Sequence, residues 1–206
     1  MEFIINEKLE NLKLPEPSLV NFYKNLEDRI FWITDEIDEY TLELINYILL
    51  WNKRDEGTDA QYREPIKLLF FSPGGDLNVN YSLIDIISLS KTPIIGINIG
   101  LCASAAAYIF LSCHKKYMLK NAFFLFHQGS GDFSGSYSEI YSHMQDYETQ
   151  VKGLSQIIRE HTDFSEEYIT DNIVNEWYIR ADDALKYKVV DGVVDDISLI
   201  YNKYKE

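Results

Sequence analysis

Basic residues are scarce in this chain. Its 19 Lys and Arg stand against 33 Asp and Glu, a formal net charge of −14. Phosphate-rich partners need surplus Lys and Arg to neutralise them, so nucleic acid and anionic membrane surfaces are excluded as partners. Cysteine is nearly absent. Cys102 and Cys113 make no disulfide framework, which fits a reducing, cytoplasmic location. No paired Cys/His spacing of the kind that holds zinc occurs, so neither metal nor cofactor is expected. The start, Met1-Glu-Phe-Ile-Ile-Asn-Glu7, is acidic and its apolar run is too short for a secretory leader. Long uncharged stretches are also few. Thr92–Cys113 has the length to span a bilayer, yet Pro93, Gly96, Asn98, Gly100 and Ser104 interrupt it. Its β-branched first half and alanine-rich second half read as a buried strand, a turn and a helix, with no membrane span.

What is present is a globular composition. The 206 residues are 46% hydrophobic and 25% charged, enough for one domain with a sizeable core. Residues 1–21 form a charged lead with Pro15 and Pro17, read as flexible or as a separate arm. Arg29-Ile-Phe-Trp-Ile-Thr34 reads as a strand. Asp35 caps a helix over roughly 37–53, with Leu42, Ile45, Ile48 and Leu49 on one face. Residues 52–64 form a polar loop, 66–71 a buried strand, 79–90 a helix with Leu83, Ile86 and Ile87 inward. A strand over 94–99 breaks at Gly100 and restarts as a helix at about 104–113. Tyr117-Met-Leu119 and Phe123–Phe126 are further strands, and 128–136 is a Gly/Ser-rich loop or irregular edge. A long helix over 138–161 carries Ile140, Met144, Tyr147, Val151, Leu154 and Ile158 at steps of four and three. That seven-residue stripe faces either the core or a partner subunit. A second helix covers 165–175, and Val189–Val194 is a closing strand pair. Alternating strands and helices give an α/β fold with a mainly parallel sheet.

Three short stretches carry chemistry. Ser72-Pro-Gly-Gly75 follows a strand; it is either an ordinary turn or a way to aim the Gly75 N–H at an oxyanion. Gly100-Leu-Cys-Ala-Ser-Ala-Ala-Ala107 puts Ser104 at the start of a helix. The backbone N–H groups and helix dipole there favour developing negative charge. Ser104 is thus a small packing residue or a nucleophile. His127 ends the strand Phe123–Phe126 and is either structural or a general base. Cys102 reads as a small buried residue.

The order of these pieces, SPGG, then G-x-x-A-S, then a strand ending in His-Gln, resembles the proteolytic subunit of the Clp protease, ClpP. The early strand at Arg29–Thr34 and the closing segment Arg180–Asp191 are similar too, so the likeness covers roughly residues 22–198, leaving 199–206 as a tail. It implies a ClpP/crotonase-like fold of repeated β-β-α units with a mainly parallel sheet and a long protruding helix. It also implies a serine endopeptidase with Ser104 as nucleophile, His127 as base, and the N–H groups of Gly75 and Ala105 as oxyanion hole. Gly74, Gly129, Ser130 and Gly131 match the stretches that hold extended substrate. Counting on from His127, the family's aspartate falls on Glu176, with Asp171 as the alternative.

Family members form heptameric rings, often stacked in pairs, that cleave unfolded polypeptide delivered by an AAA+ Clp ATPase. This chain differs from the family in places. Asn175 replaces an arginine that pairs across rings. Lys67 and Leu69 replace tyrosines of the ATPase docking pocket, and Gly129 replaces a proline. These departures keep a second reading open: a catalytically weak or inactive subunit of a mixed barrel with ClpP/ClpR-type partners. A third reading, an acyl-CoA hydratase or isomerase of the crotonase fold, needs neither Ser104 nor His127, and no basic cluster suits the CoA nucleotide.

Overall fold

Seven strands make one sheet in the order β1-β2-β3-β4-β7, with β5 branching from β3 and β6 pairing with β5. The computed structural model describes residues 16–201. They run α1 (Pro17–Glu27), β1 (Ile30–Ile33), a 3-10 turn (Glu39–Leu42), α2 (Glu43–Arg54), β2 (Ile66–Ser72) and α3 (Leu77–Leu89). Then come β3 (Ile94–Ala103), α4 (Ala105–Leu111), β4 (Lys115–Met118), β5 (Phe123–Phe126) and α5 (Tyr137–His161). The chain closes with α6 (Glu166–Ile173), β6 (Trp177–Arg180), α7 (Ala181–Lys186), β7 (Gly192–Val193) and α8 (Ser198–Tyr201). Among the described residues every strand pairing is parallel except β5 with β6. The expected α/β architecture with a long helix is the one observed. No helix of the described residues is long and apolar enough to cross a membrane.

The central strand β3 positions the rest. Its first half pairs with β2 and β4, and Leu101–Ala103 pairs with β5. Asn98, fully buried, is the hinge of this exchange. Its Nδ2 donates to the Phe123 carbonyl at 2.9 Å, and its Oδ1 accepts from the Gly100 N–H at 3.0 Å. The break expected at Gly100 is therefore not there. The strand continues to Ala103, because backbone groups beyond Gly100 find a new partner in β5. Ser104 alone makes the turn into α4.

The helix expected from residue 37 also starts later. Ile37 donates its N–H to the Gly74 carbonyl at 2.7 Å and accepts from the Asp76 N–H at 2.8 Å, which keeps residues around it extended. Asp38, not Asp35, supplies a cap, and it caps the 3-10 turn that leads into α2: it accepts from Tyr40 N–H at 2.9 Å, and its own N–H donates to Thr41 Oγ1 at 3.2 Å; α2 itself starts after Leu42 with no side-chain cap. The inward face of α2 is Leu44, Ile48 and Trp51, whereas Leu49 is 54% exposed. In α1, Pro17 begins a helix, since a residue with no N–H and a fixed φ suits the first turn. Residues 1–15, where most of the expected flexible lead falls, lie outside the described residues, as do 202–206 of the tail. Towards the C-terminus α6 stops at Ile173, β6 was not expected, and Val189–Val190 is a buried turn leading to a two-residue strand.

The core lies between one sheet face and α2, α3 and α4. All seven residues of α4 are buried, and Phe110 meets Phe70 at 5.4 Å and Phe124 at 4.8 Å between ring centroids. At the β1 end, Arg29 fastens three segments. Its two terminal nitrogens donate to Asp55 at 2.6 and 2.7 Å, and Thr92 Oγ1 donates to the same carboxylate at 2.8 Å. The long helix α5 packs by its C-terminal part only. Leu154, Ile157 and Ile158 are buried; Tyr141 and Met144 are 53% and 55% exposed.

Candidate active site

Ser104 is the residue before a helix that is buried along its whole length, at the C-terminal end of β3. Its backbone stands at φ 51°, ψ −129°, a left-handed conformation that costs a non-glycine residue about 1–3 kcal/mol unless its surroundings impose it. Here they do. The Ser104 N–H is tied to the Leu125 carbonyl at 2.8 Å, and its carbonyl accepts from the Ala107 N–H at 2.9 Å. The side chain is half-buried and makes no cap bond to its own helix. A serine hydroxyl held at a sharp strand-to-helix turn is open to act as a nucleophile.

The SPGG loop is pressed onto this turn. A Cβ on Gly74 would lie 2.5 Å from Ser104 Cβ and 2.9 Å from Ala105 N, and Gly74 has φ +98°. Only glycine fits there. At Gly75 a Cβ would run into the Ile37 carbonyl. Ser72 Oγ fixes the loop, donating to the Asp35 carbonyl at 2.6 Å and accepting from Gly74 N–H at 3.2 Å. Because Ile37 takes up the Gly74 carbonyl and the Asp76 N–H, the Gly75 N–H points away from that segment. Among the described residues neither it nor the Ala105 N–H has a hydrogen-bond partner. The Ala105 group is one of the free donors at the start of any helix. Free backbone donors of this kind are what an oxyanion hole is built from.

His127 follows β5 and is half-buried. Pairing of Ala103 with Leu125 brings Ser104 and His127 to the ends of neighbouring parallel strands. Tyr108, fully buried one turn into α4, fastens the two: its hydroxyl donates to the His127 carbonyl at 3.0 Å. Burial holds the Tyr108 hydroxyl far above its ordinary range, so it is a neutral donor. This link was not read from the sequence, although a lone hydroxyl among the apolar residues of Ala105–Leu111 is its signal. Burial likewise raises the Cys102 thiol well above its usual value, and this cysteine is a packing residue.

Glu176 comes to the same ladder end as His127. β5 and β6 are antiparallel, and their ladder ends at Phe126 opposite Trp177; His127 and Glu176 each adjoin that last pair, while Gln128 N–H already bonds to the Ile173 carbonyl at 3.0 Å, off the ladder register. Among the described residues no hydrogen bond joins Ser104 to His127 or His127 to Glu176, and Asp171, exposed on α6, has none to His127 either. The Glu176 carboxylate instead accepts from Tyr178 Oη at 2.7 Å. Gly129, Ser130 and Gly131 are exposed and outside regular structure. Of the three only Gly129 lines an open groove of about 650 Å³ between this segment and α5, along with Gln128, Phe133, Tyr147 and Val151 among others. Tyr147 Oη closes one side, donating to the Gln128 carbonyl at 3.3 Å. Among the described residues no group of His, Cys, Asp and Glu is placed to hold a metal ion.

The sequence profile of the Clp protease family matches residues 16–197. The chain is similar to the ATP-dependent Clp protease proteolytic subunit 2 of Treponema pallidum (strain Nichols), with 26% identity over 179 residues, 85% of this chain and 87% of that protein. Its fold is that of a ClpP1 point mutant from Listeria monocytogenes. The TM-score is 0.72 at 22% identity, over 85% of this chain and 96% of the other.

Proposed function

Because the chain belongs to the Clp protease family, we propose that it is the serine endopeptidase subunit of a self-compartmentalised barrel. Ser104 Oγ attacks a peptide carbonyl while His127 accepts its proton. The tetrahedral oxyanion takes hydrogen bonds from the N–H groups of Gly75 and Ala105. His127 then protonates the leaving amine, leaving an acyl-enzyme on Ser104. Water attacks that ester with His127 again as base and frees the serine. Glu176 orients the imidazole. Gly74, Gly129, Ser130 and Gly131 lie along an extended substrate, whose backbone approaches where side chains are absent.

One observation carries this reading. Ser104 is held at positive φ directly before a buried helix, with Gly74 of the Gly-Gly loop pressed against it and His127 at the neighbouring strand end. The rest follows the family. Subunits form a heptameric ring, single or doubled, and an AAA+ Clp ATPase feeds unfolded polypeptide into it in the cytoplasm. The exposed apolar residues near the start of α5, Tyr141 and Met144, suit a contact with another subunit. The test is a fluorophosphonate probe on the assembled particle. Labelling at Ser104 that disappears in Ser104→Ala is the expected result; no labelling in any assembly state overturns the enzyme reading.

A second reading, a structural or regulatory subunit in a mixed barrel, draws on one observation: the Glu176 carboxylate bonds to Tyr178, and no described hydrogen bond links it to His127. Failure to label alone, with labelling of a catalytic partner subunit in a co-assembled particle, is its signature.

A further inference from the structure

The residue before Trp177, the last β6 partner of β5, is a glutamate, one methylene longer than an aspartate. A carboxylate at the end of two methylenes has more directions open to it than an aspartate's, so aiming it at an imidazole at the same ladder end requires something to fix it. The strand supplies such a group. Glu176, Tyr178 and Arg180 are the exposed residues of an alternating segment whose other members, Trp177 and Ile179, are buried. Tyr178 therefore shares a sheet face with Glu176, opposite Leu125 and between Phe123 and His127 on the facing strand. Its ring packs on Phe123 at 5.9 Å, and the Arg180 guanidinium lies over the same Phe123 ring at 4.7 Å. Arg180 is thereby drawn to Phe123, and among the described residues it forms no ion pair with Glu176. The Tyr178 hydroxyl donates to Glu176 Oε2 at 2.7 Å.

We infer that Tyr178 is a positioning residue: its hydroxyl anchors one carboxylate oxygen of Glu176 so that the other is presented to the imidazole of His127. An ionised carboxylate has about four acceptor sites on its two oxygens, so the bond to Tyr178 leaves Oε1 free to receive the imidazole N–H. The phenol stays neutral and donating in the working range, because its bond to the Glu176 carboxylate raises its pKa further. On this account a glutamate serves where the family carries an aspartate because the chain also supplies a tyrosine two residues on. The inference rests on the peptidase reading for its catalytic meaning, and for its geometry on the Tyr178–Glu176 bond at the ladder end that His127 adjoins.

The test is a double-mutant cycle on the assembled particle, read as the rate of fluorophosphonate labelling against pH. Tyr178→Phe is expected to slow labelling about ten- to a hundredfold, the size of one hydrogen bond to a charged group. It also moves the acid limb of the profile to lower pH, because His127 loses hold of its carboxylate. In a Glu176→Asp background the same change is expected to cost less than about twofold, since the shorter side chain needs no anchor. An equal loss in both backgrounds, no loss, or a faster rate overturns the inference; the last would mean that Tyr178 diverts Glu176 from His127.

A second measurement separates this from failure of the peptidase reading. In particles carrying 13C-labelled histidine, Glu176→Gln should move the ring resonances of His127 and Tyr178→Phe should move them the same way by less. If wild-type protein does not label but these changes appear, the enzyme reading fails and the positioning role stands. His127 resonances unmoved by Tyr178→Phe overturn the positioning role, whatever the labelling shows.

Discussion

Ser104 holds a backbone conformation that its own side chain opposes. At φ 51° the Cβ crowds the backbone, and the turn persists because Leu125, Ala107 and the Gly74 loop fix both sides of it. The cost has a direct readout. Ser104→Gly and Ser104→Ala both remove the hydroxyl, but only glycine also removes the strain. After allowance for the greater freedom of glycine in the unfolded chain, Ser104→Gly should be about 1 kcal/mol more stable than Ser104→Ala. Thermal or denaturant unfolding of the two variants checks this. Equal stabilities would mean that the positive φ stores no strain.

Among the elements, the segment before β1 depends on a buried ion pair. Burial alone would raise the Asp55 carboxyl, but hydrogen bonds from Arg29 and Thr92 together with the guanidinium charge outweigh it and hold the group below its ordinary value. A carboxyl whose pKa is lowered by folding adds stability above its unfolded pKa of about 3.9, and that stability is lost as pH falls through the folded value. Asp55→Asn takes from Arg29 its bidentate carboxylate at neutral pH and leaves Glu64 Oε2, 4.0 Å from Nε, as the remaining counter-charge. The expected loss there is about 1.5–3 kcal/mol, the size of hydrogen bonding to a charged group, shrinking as pH drops below about 4. Urea unfolding at pH 7 and near pH 3 measures both numbers. A loss of the same size at the two pH values would place the cost in packing instead of charge.

For the whole molecule, the informative feature is how unevenly α5 is covered. Its last turns pack on the core through Leu154 and Ile158, while Tyr141 and Met144 stand outside. An apolar stripe that leaves its own domain requires another surface to cover it. Met144→Glu places a charge on that stripe, far from Ser104 in sequence and beyond the buried part of the helix. The expected outcome is a smaller particle in sedimentation velocity with far-UV circular dichroism unchanged. An unaltered sedimentation profile would show that this part of α5 takes no part in assembly.

Features that depend on neighbouring residues are legible in the chain alone. SPGG, the small-residue turn around Ser104 and the apolar strand ending at His127 each encode their geometry within a few positions, as glycine backbone freedom, helix start and strand end. The seven-residue stripe on 138–161 was legible for the same reason. Tertiary structure decided what depends on pairing. Asn98 passes β3 from one partner to another, so Gly100 does not end the strand. The Ile37–Gly75 bridge delays the helix to residue 43. β6 escaped notice because Trp177-Tyr-Ile-Arg180 contains an amphipathic tyrosine that masks its in-and-out alternation. Tyr108 and Tyr178 acquire their partners only through strand register, and a hydroxyl carries no sequence mark of the carbonyl or carboxylate it will meet. Local backbone preference is written residue by residue, whereas which strand lies beside which follows from burying the whole core at once.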